Sequence, residues 1–416
     1  MKNRSRVLVF LITLIVTTGF FLPVHATQTV TCNGFPDTFS RVAVSADGNY
    51  FVTGDPVLGT VRFLEKDGTP VWGYKIGENI SSLSISDDGG IITAARDDGR
   101  VFGWDKKGDL LWNFDGMGRF TQVMITGDGE QGYIINSDSP STPYTDTIHH
   151  FDRNGTILWE RREPGISGAS ITSDGKYLVV GTRIGGNSEV RAYAGSGTVL
   201  WRYPAPDGIT FVAVSPDGST IAAVHSYRLI VLDQSGELIS EVIPRDHPSA
   251  IAISPEGNSI ATGGKFTLQV FNRSGKQLWQ TYERDITSIA ISQDGRTIIS
   301  GSEKEVSIFD KNGTRIRLIP VDIGAGSVSL SADGYTIVAG SYNGTIFRID
   351  QEGNVKRLAI GTLPVRTLPL FTTTMVKSAG LSQKPTGTMK AGQPLALLAL
   401  LVFGSWAIVV TCQRWK

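Results

Sequence analysis

The sequence predicts an all-β protein: an eight-bladed β-propeller between an N-terminal signal peptide and a C-terminal transmembrane helix. Three observations carry this. One pattern recurs eight times between residues 41 and 360, and its acidic turn positions, Asp47, Asp88, Asp128, Asp174, Asp217, Glu256, Asp294 and Asp333, stand 38 to 46 residues apart. Periods near ~40 residues that hold several short strands belong to propeller blades. Apolar residues within the units alternate by two, and helical spacing is missing there. The first strand of each unit keeps a small residue at one position, Ala43, Ser84, Ser170, Ala213, Ala252, Ala290 and Ser329, with Met124 the exception. Blades converge on a narrow axis, so one face of the innermost strand has room only for small groups.

From the N-terminus, Lys2, Arg4 and Arg6 precede an apolar run from Val7 to Leu22 and a small-residue site ending at Ala26. This reads as a secretory signal over residues 1–26, with the mature chain starting at Thr27 and a lead-in over 27–40. The two cysteines, Cys32 and Cys412, lie on opposite sides of the repeats, so no disulfide staples the propeller.

Residues 41–360 hold the repeats. In the second unit Leu83–Ser86 is the first strand and Asp88-Gly89 a turn favouring positive φ; Ile91–Ala94, Val101–Trp104 and Asp109–Phe114 are the later strands. The ring has seven blades instead if the eighth unit, which lacks a tryptophan, is left out.

Asp or Asn follows the third strand at Asp105, Asp152, Asp233, Asn272, Asp310 and Asp350, and a Ser-Pro-Asp-Gly turn stands at 215–218. In these features the units resemble WD-repeats, without the Gly-His pair. Gly-x-x-x-Trp enters the fourth strand in five units, ending at Trp72, Trp112, Trp159, Trp201 and Trp279; Ser240, Arg317 and Arg357 take that place in the others. Here the units resemble the pyrroloquinoline-quinone-type (PQQ-like) propeller repeat, and the resemblance implies that these tryptophans dock adjacent blades. It implies fold more than activity, since such repeats serve dehydrogenases and structural proteins alike.

Residues 361–393 read as a stalk, 394–412 as an uncharged apolar span of 19 residues, and 413–416 as a basic cytoplasmic tail. At ~1.5 Å per residue a helix of that length nearly matches a bilayer's hydrocarbon core. The arrangement resembles the C-terminal ends of archaeal surface proteins. The N-terminal signal exports everything up to this span, so the propeller is expected on the extracytoplasmic side of a cell membrane as a single-pass protein.

Lys plus Arg and Asp plus Glu are both 39, which gives no net charge to attract nucleic acid. One carboxylate per isolated turn is too few for calcium, and the five histidines are scattered, so no metal is expected. No cofactor is expected either: the adjacent cysteines and long loops common in quinoprotein dehydrogenases are missing. Sequons at Asn79, Asn154, Asn272, Asn312 and Asn343 are candidate glycosylation sites, although three also form Asn-Gly turns. Loops after the second and fourth strands vary, with the longest at 136–147, and propeller geometry puts them on one face. Candidate binding residues there are Arg96, Asp97, Arg119, Tyr144, Asp146, Arg228 and His247. The sequence thus reads as a non-enzymatic, monomeric scaffold that binds another surface protein, a glycan or a peptide. The alternative is a propeller enzyme (lyase, hydrolase or quinoprotein) with its site in the central funnel.

Overall fold

The computed structural model describes residues 40–368 except Glu78, 138–145, Gly185, Pro206, 322–323, Tyr342, Gln351 and 359–363. The expected signal peptide, transmembrane span and tail, and all but 364–368 of the expected stalk, lie outside the described residues. The described chain forms eight antiparallel sheets of four consecutive strands each, blades 1 to 8, and blade 1 gains a fifth strand. First strands of neighbouring blades lie side by side around the axis. The eight-bladed expectation is borne out, and the eighth unit is a full blade.

Local chemistry explains the repeated turn. Ser45 Oγ donates to Asp47 Oδ1 at 2.6 Å, the same oxygen accepts from Asn49 N at 3.0 Å, and Gly48 takes the φ of +68° that the turn needs. The hydroxyl–carboxylate pair recurs as Ser86–Asp88, Thr126–Asp128, Thr172–Asp174, Ser215–Asp217, Ser292–Asp294 and Ser331–Asp333. In blade 6 Glu256 replaces the aspartate and bonds Asn258 Nδ2 at 3.0 Å instead.

These turns also bond to one another. Asp47 N donates to Asp87 O, Asp87 N to Gly127 O, Gly127 N to Ser173 O and Ser173 N to Pro216 O; Gln293 N then donates to Ala332 O and Ala332 N to Ala46 O. Main chain thus links six of the eight junctions near the axis. The links from blade 5 to 6 and from 6 to 7 are missing because Pro216 and Pro255 have no N–H to give. Farther along the first strands, Ser84, Ser170 and Ser329 accept N–H bonds from Ile125, Val214 and Val44 of the next blade. In these three blades the small position faces the neighbouring strand closely enough to bond it.

At the outer radius each tryptophan reaches forward. Indole Nε1 of Trp72, Trp112, Trp159, Trp201 and Trp279 donates to a carbonyl in the next blade's outer turn, on Lys106, Arg153, Gly195, Gln234 and Lys311, at 2.7–3.2 Å. Ser240 and Arg317 make the same kind of bond to Arg273 and Glu352. Lys356 Nζ closes the ring on Asp67 O at 2.6 Å. Glycine is required where these rings land: a methyl group added at Gly155 would lie 2.6 Å from Trp112, and one at Gly108 2.7 Å from Trp72. The glycine and the tryptophan of one Gly-x-x-x-Trp motif therefore serve two different junctions.

In six blades the residue four places after the docking residue is buried. It is Ile76, Ala205, Pro244 and Val321 in four blades, but Glu163 and Glu283 in two. Each buried glutamate has partners: Arg161 Nε and Arg191 Nη1 on Glu163, Arg315 Nη2 and Ser307 Oγ on Glu283. An unpaired charge at such a depth would cost several kcal/mol.

Blade 1's extra strand is Arg366–Thr367, which pairs in parallel with Pro70–Lys75. It lies against Gly73, where an added methyl would meet Val365 Cγ1 at 3.3 Å. The start of the expected stalk thus adds to the outer edge of blade 1.

Blade 3 carries a pH-sensitive group. His150 is 3% exposed, stacks on Tyr133 at 4.5 Å and bonds Gln131 Oε1 at 3.0 Å; burial lowers its pKa to about 4. Between that value and its ordinary pKa of about 6.5 the unfolded chain binds more protons than the folded one. Stability conferred by the neutral imidazole is therefore complete above pH ~6.5 and is lost as pH falls toward ~4, by at most about 3 kcal/mol. His150→Phe should flatten the pH dependence of the melting temperature in that window, and an unchanged slope would contradict this assignment.

Candidate partner-binding surface

Strand alternation puts the loops after second and fourth strands on one face of the ring and the Asp-Gly turns on the other. On the loop face the candidate binding residues separate into two groups. Arg96 donates from Nη1 to Ile76 O at 3.1 Å and pairs with Asp98 at 3.0 Å, and Asp97 N bonds Asn79 O. Asp146 is buried and accepts from Ile166 N at 2.5 Å. These residues tie one loop to the next. Arg119 lies in the first strand of blade 3, Arg119–Ile125, and Tyr144 lies outside the described residues.

Arg228 and His247 border something else. Blade 5's tight turn between Thr220–His225 and Arg228–Asp233 presents Tyr227, 63% exposed, with Ser226 at a φ of +49°. The His247 ring meets Tyr227 edge-on at 5.0 Å. Next to it, the Asp246 carboxylate accepts from Phe266 N at 2.6 Å and from Thr267 N at 3.2 Å, which fixes the turn of blade 6. Phe266 is 46% exposed there, and its carbonyl accepts from Glu283 N. Tyr282, 57% exposed, pairs with Thr267 across the sheet and takes the Arg284 Nε bond on its hydroxyl at 2.6 Å. That bond raises the Arg284 pKa, so the guanidinium stays charged.

The Tyr227 and His247 rings are in direct contact, and the Asp246 carboxylate next to His247 holds the blade 6 turn that carries Phe266, with Tyr282 at the neighbouring strand end and Ile243 exposed in the connection between the blades. Lys265 Nζ stands 5.4 Å from the Phe266 ring, and the Arg284 carbon 5.6 Å from Tyr282. Nearby acids are largely engaged: Glu241 by Arg228, Glu283 by Arg315, Asp246 by the blade 6 turn. Exposed aromatic groups with cations beside them are the composition that anchors protein interfaces. Sequence reasoning found Arg228, His247 and the loop 245–248 but missed the aromatics, whose alternation is the same as that of docked residues. Among the described residues no group of three or more His, Cys, Asp and Glu side chains is placed to hold a metal ion.

The serial blades, their Asp-Gly turns and the docking tryptophans define a propeller of PQQ-like repeats. The chain belongs to the family described as outer membrane protein assembly factor BamB, whose model matches residues 58–186 and 146–357. Among solved structures it is similar to BamB from Moraxella catarrhalis, with a TM-score of 0.58, 16% identity, and 77% of this chain and 98% of that one covered. It is also similar to Chaetomium thermophilum Sqt1 bound to the N-terminus of ribosomal protein L10, with a TM-score of 0.63, 14% identity, and 78% and 100% covered. At these identities the likeness is one of fold. A comparison with curated proteins found no match.

Proposed function

We propose that this protein is a membrane-anchored, extracytoplasmic scaffold that holds a protein partner on the loop face of blades 5 and 6. The observation that carries the reading is the group of exposed aromatic side chains, Tyr227, Phe266 and Tyr282, at the loop-face ends of blades 5 and 6. A rigid ring presents it at little ordering cost, which favours affinity. Lys265 and Arg284 beside the rings suit a partner segment in which apolar side chains are flanked by carboxylates. The family's description as an assembly factor, and a similar propeller solved with a bound protein N-terminus, support protein binding. Anchoring and export rest on the apolar runs at 7–22 and 394–412.

The test uses the full chain, crosslinked in its native membrane and purified with whatever it holds. Tyr227→Ser/Phe266→Ser/Tyr282→Ser should reduce recovery of the wild type's partner about tenfold or more while the melting temperature stays put, because these side chains pack on nothing essential. Undiminished recovery by the triple variant would place the partner elsewhere.

A further inference from the structure

The opposite face has a site of its own. At every other junction a side chain of one blade fills the space under the next blade's turn glycine. A methyl group at Gly89 would lie 3.1 Å from Tyr50, at Gly129 2.9 Å from Ile91, at Gly175 2.5 Å from Thr126 and at Gly218 3.1 Å from Thr172. Likewise Gly334 meets Thr297 at 2.8 Å, Gly48 meets Thr336 at 3.0 Å, and Gly257 abuts Thr220. Between blades 6 and 7 the packing fails: Gly295 has only Ser254 Cβ, at 4.0 Å. Ser259 stands there where blades 1 and 4 have Tyr50 and Tyr177.

The same junction lacks its main-chain link because of Pro255, and its turn is the one with Glu256 in place of aspartate. Three departures from the repeat thus coincide, and they open a cleft of about 600 Å³. That volume lies within the range of about 300–1,000 Å³ that holds a small ligand. Pro255, Leu278 and Trp279 form apolar wall, while Ser259, Asn258 and Asn312 supply neutral donors and acceptors.

We propose that this cleft binds a short, neutral oligosaccharide. A pyranose ring has an apolar C–H face, which suits the Trp279 and Leu278 wall, and a rim of hydroxyls that both donate and accept, which suits serine and amide groups. Charge argues against the other classes. Lys311 is the one cation in the lining, opposed by Glu256 and Asp294, so a phosphate would meet net repulsion. Asp294 Oδ1 already accepts from Ser292 Oγ at 2.6 Å and Arg296 N at 2.9 Å, and Oδ2 stands 3.7 Å from Arg296 Nε, so a basic peptide would compete with a cation already there.

The full-length protein is titrated with maltotriose, cellotriose, mannotriose and chitotriose, and separately with inorganic phosphate and a lysine-rich peptide, by saturation-transfer NMR. At least one trisaccharide should bind. Ser259→Tyr fills the cleft with the side chain that blades 1 and 4 carry, and Leu278→Arg alters an exposed wall; each should weaken that binding about tenfold or more with the fold intact. Leu278→Arg keeps the test valid should the tyrosine disturb the junction. Binding of none of the sugars, binding of phosphate or peptide in their place, or unchanged affinity in both variants would overturn the proposal.

Discussion

Trp112→Ala should lower stability by about 3–5 kcal/mol, the cost of emptying a large core site. The ring is 8% exposed, meets Phe151 of the next blade edge-on at 4.9 Å and rests on Gly155. Its loss would leave Phe151 and Phe114 facing a void, with the Arg153 carbonyl short of its indole donor at 3.0 Å. Trp112→Phe keeps an aromatic ring while removing the bond and part of the buried area, so it should cost less, at about 1–2 kcal/mol. Chemical denaturation of the purified protein followed by circular dichroism gives both numbers. An unchanged midpoint in the alanine variant would mean that this ring does not hold blades 2 and 3 together.

Arg191→Ala should also be strongly destabilising, at up to about 3–5 kcal/mol, because it takes the more buried of two guanidinium partners from the Glu163 carboxylate between blades 3 and 4 and leaves the more exposed Arg161. The repeat supplies its own rescue. At the next junction the corresponding positions are Ala205 and Ile230, which share one apolar cluster. Glu163→Ala/Arg191→Ile copies that solution, and well-packed apolar groups commonly replace a buried ion pair without loss. The double variant should therefore recover most of the stability that the single one loses. If the two substitutions merely add, the carboxylate and guanidinium are not coupled, and the assignment of this junction fails.

The blades were legible in the sequence because their turns are made locally. Hydroxyl, acid and glycine stand within four residues of one another, so the bonds of Ser45, Asp47 and Gly48 follow from spacing alone. What joins blade to blade was less visible. The partner of Trp72 is a glycine of the following repeat, and Ser240, Arg317 and Lys356 do a tryptophan's work without sharing its chemistry beyond a donor. The added strand Arg366–Thr367 is too short to carry a period of its own, and it depends on a bare patch at Gly73.

The two proposed sites were hidden for opposite reasons. Tyr227 and Phe266 come from two separate turns and Tyr282 from a strand end, and it is the stacking of blades 5 and 6 that sets them on one face. Arg96 and Asp146 read equally well as contact groups from their loops, yet each is bonded inward to the backbone of a neighbouring loop. The cleft at Ser259 is the trace of a side chain that is too small. A sequence shows the serine but not the space around it.

The central claim is that the partner sits on the aromatic surface of the loop face. Photo-crosslinking tests it most directly, with the reactive amino acid placed at position 266 or, on the turn face, at position 335, where Tyr335 is similarly exposed at 50%. Irradiated in intact cells, the full-length protein labelled at 266 should yield one discrete heavier species, and the protein labelled at 335 should not. A species formed equally at both positions, or only at 335, would contradict the account.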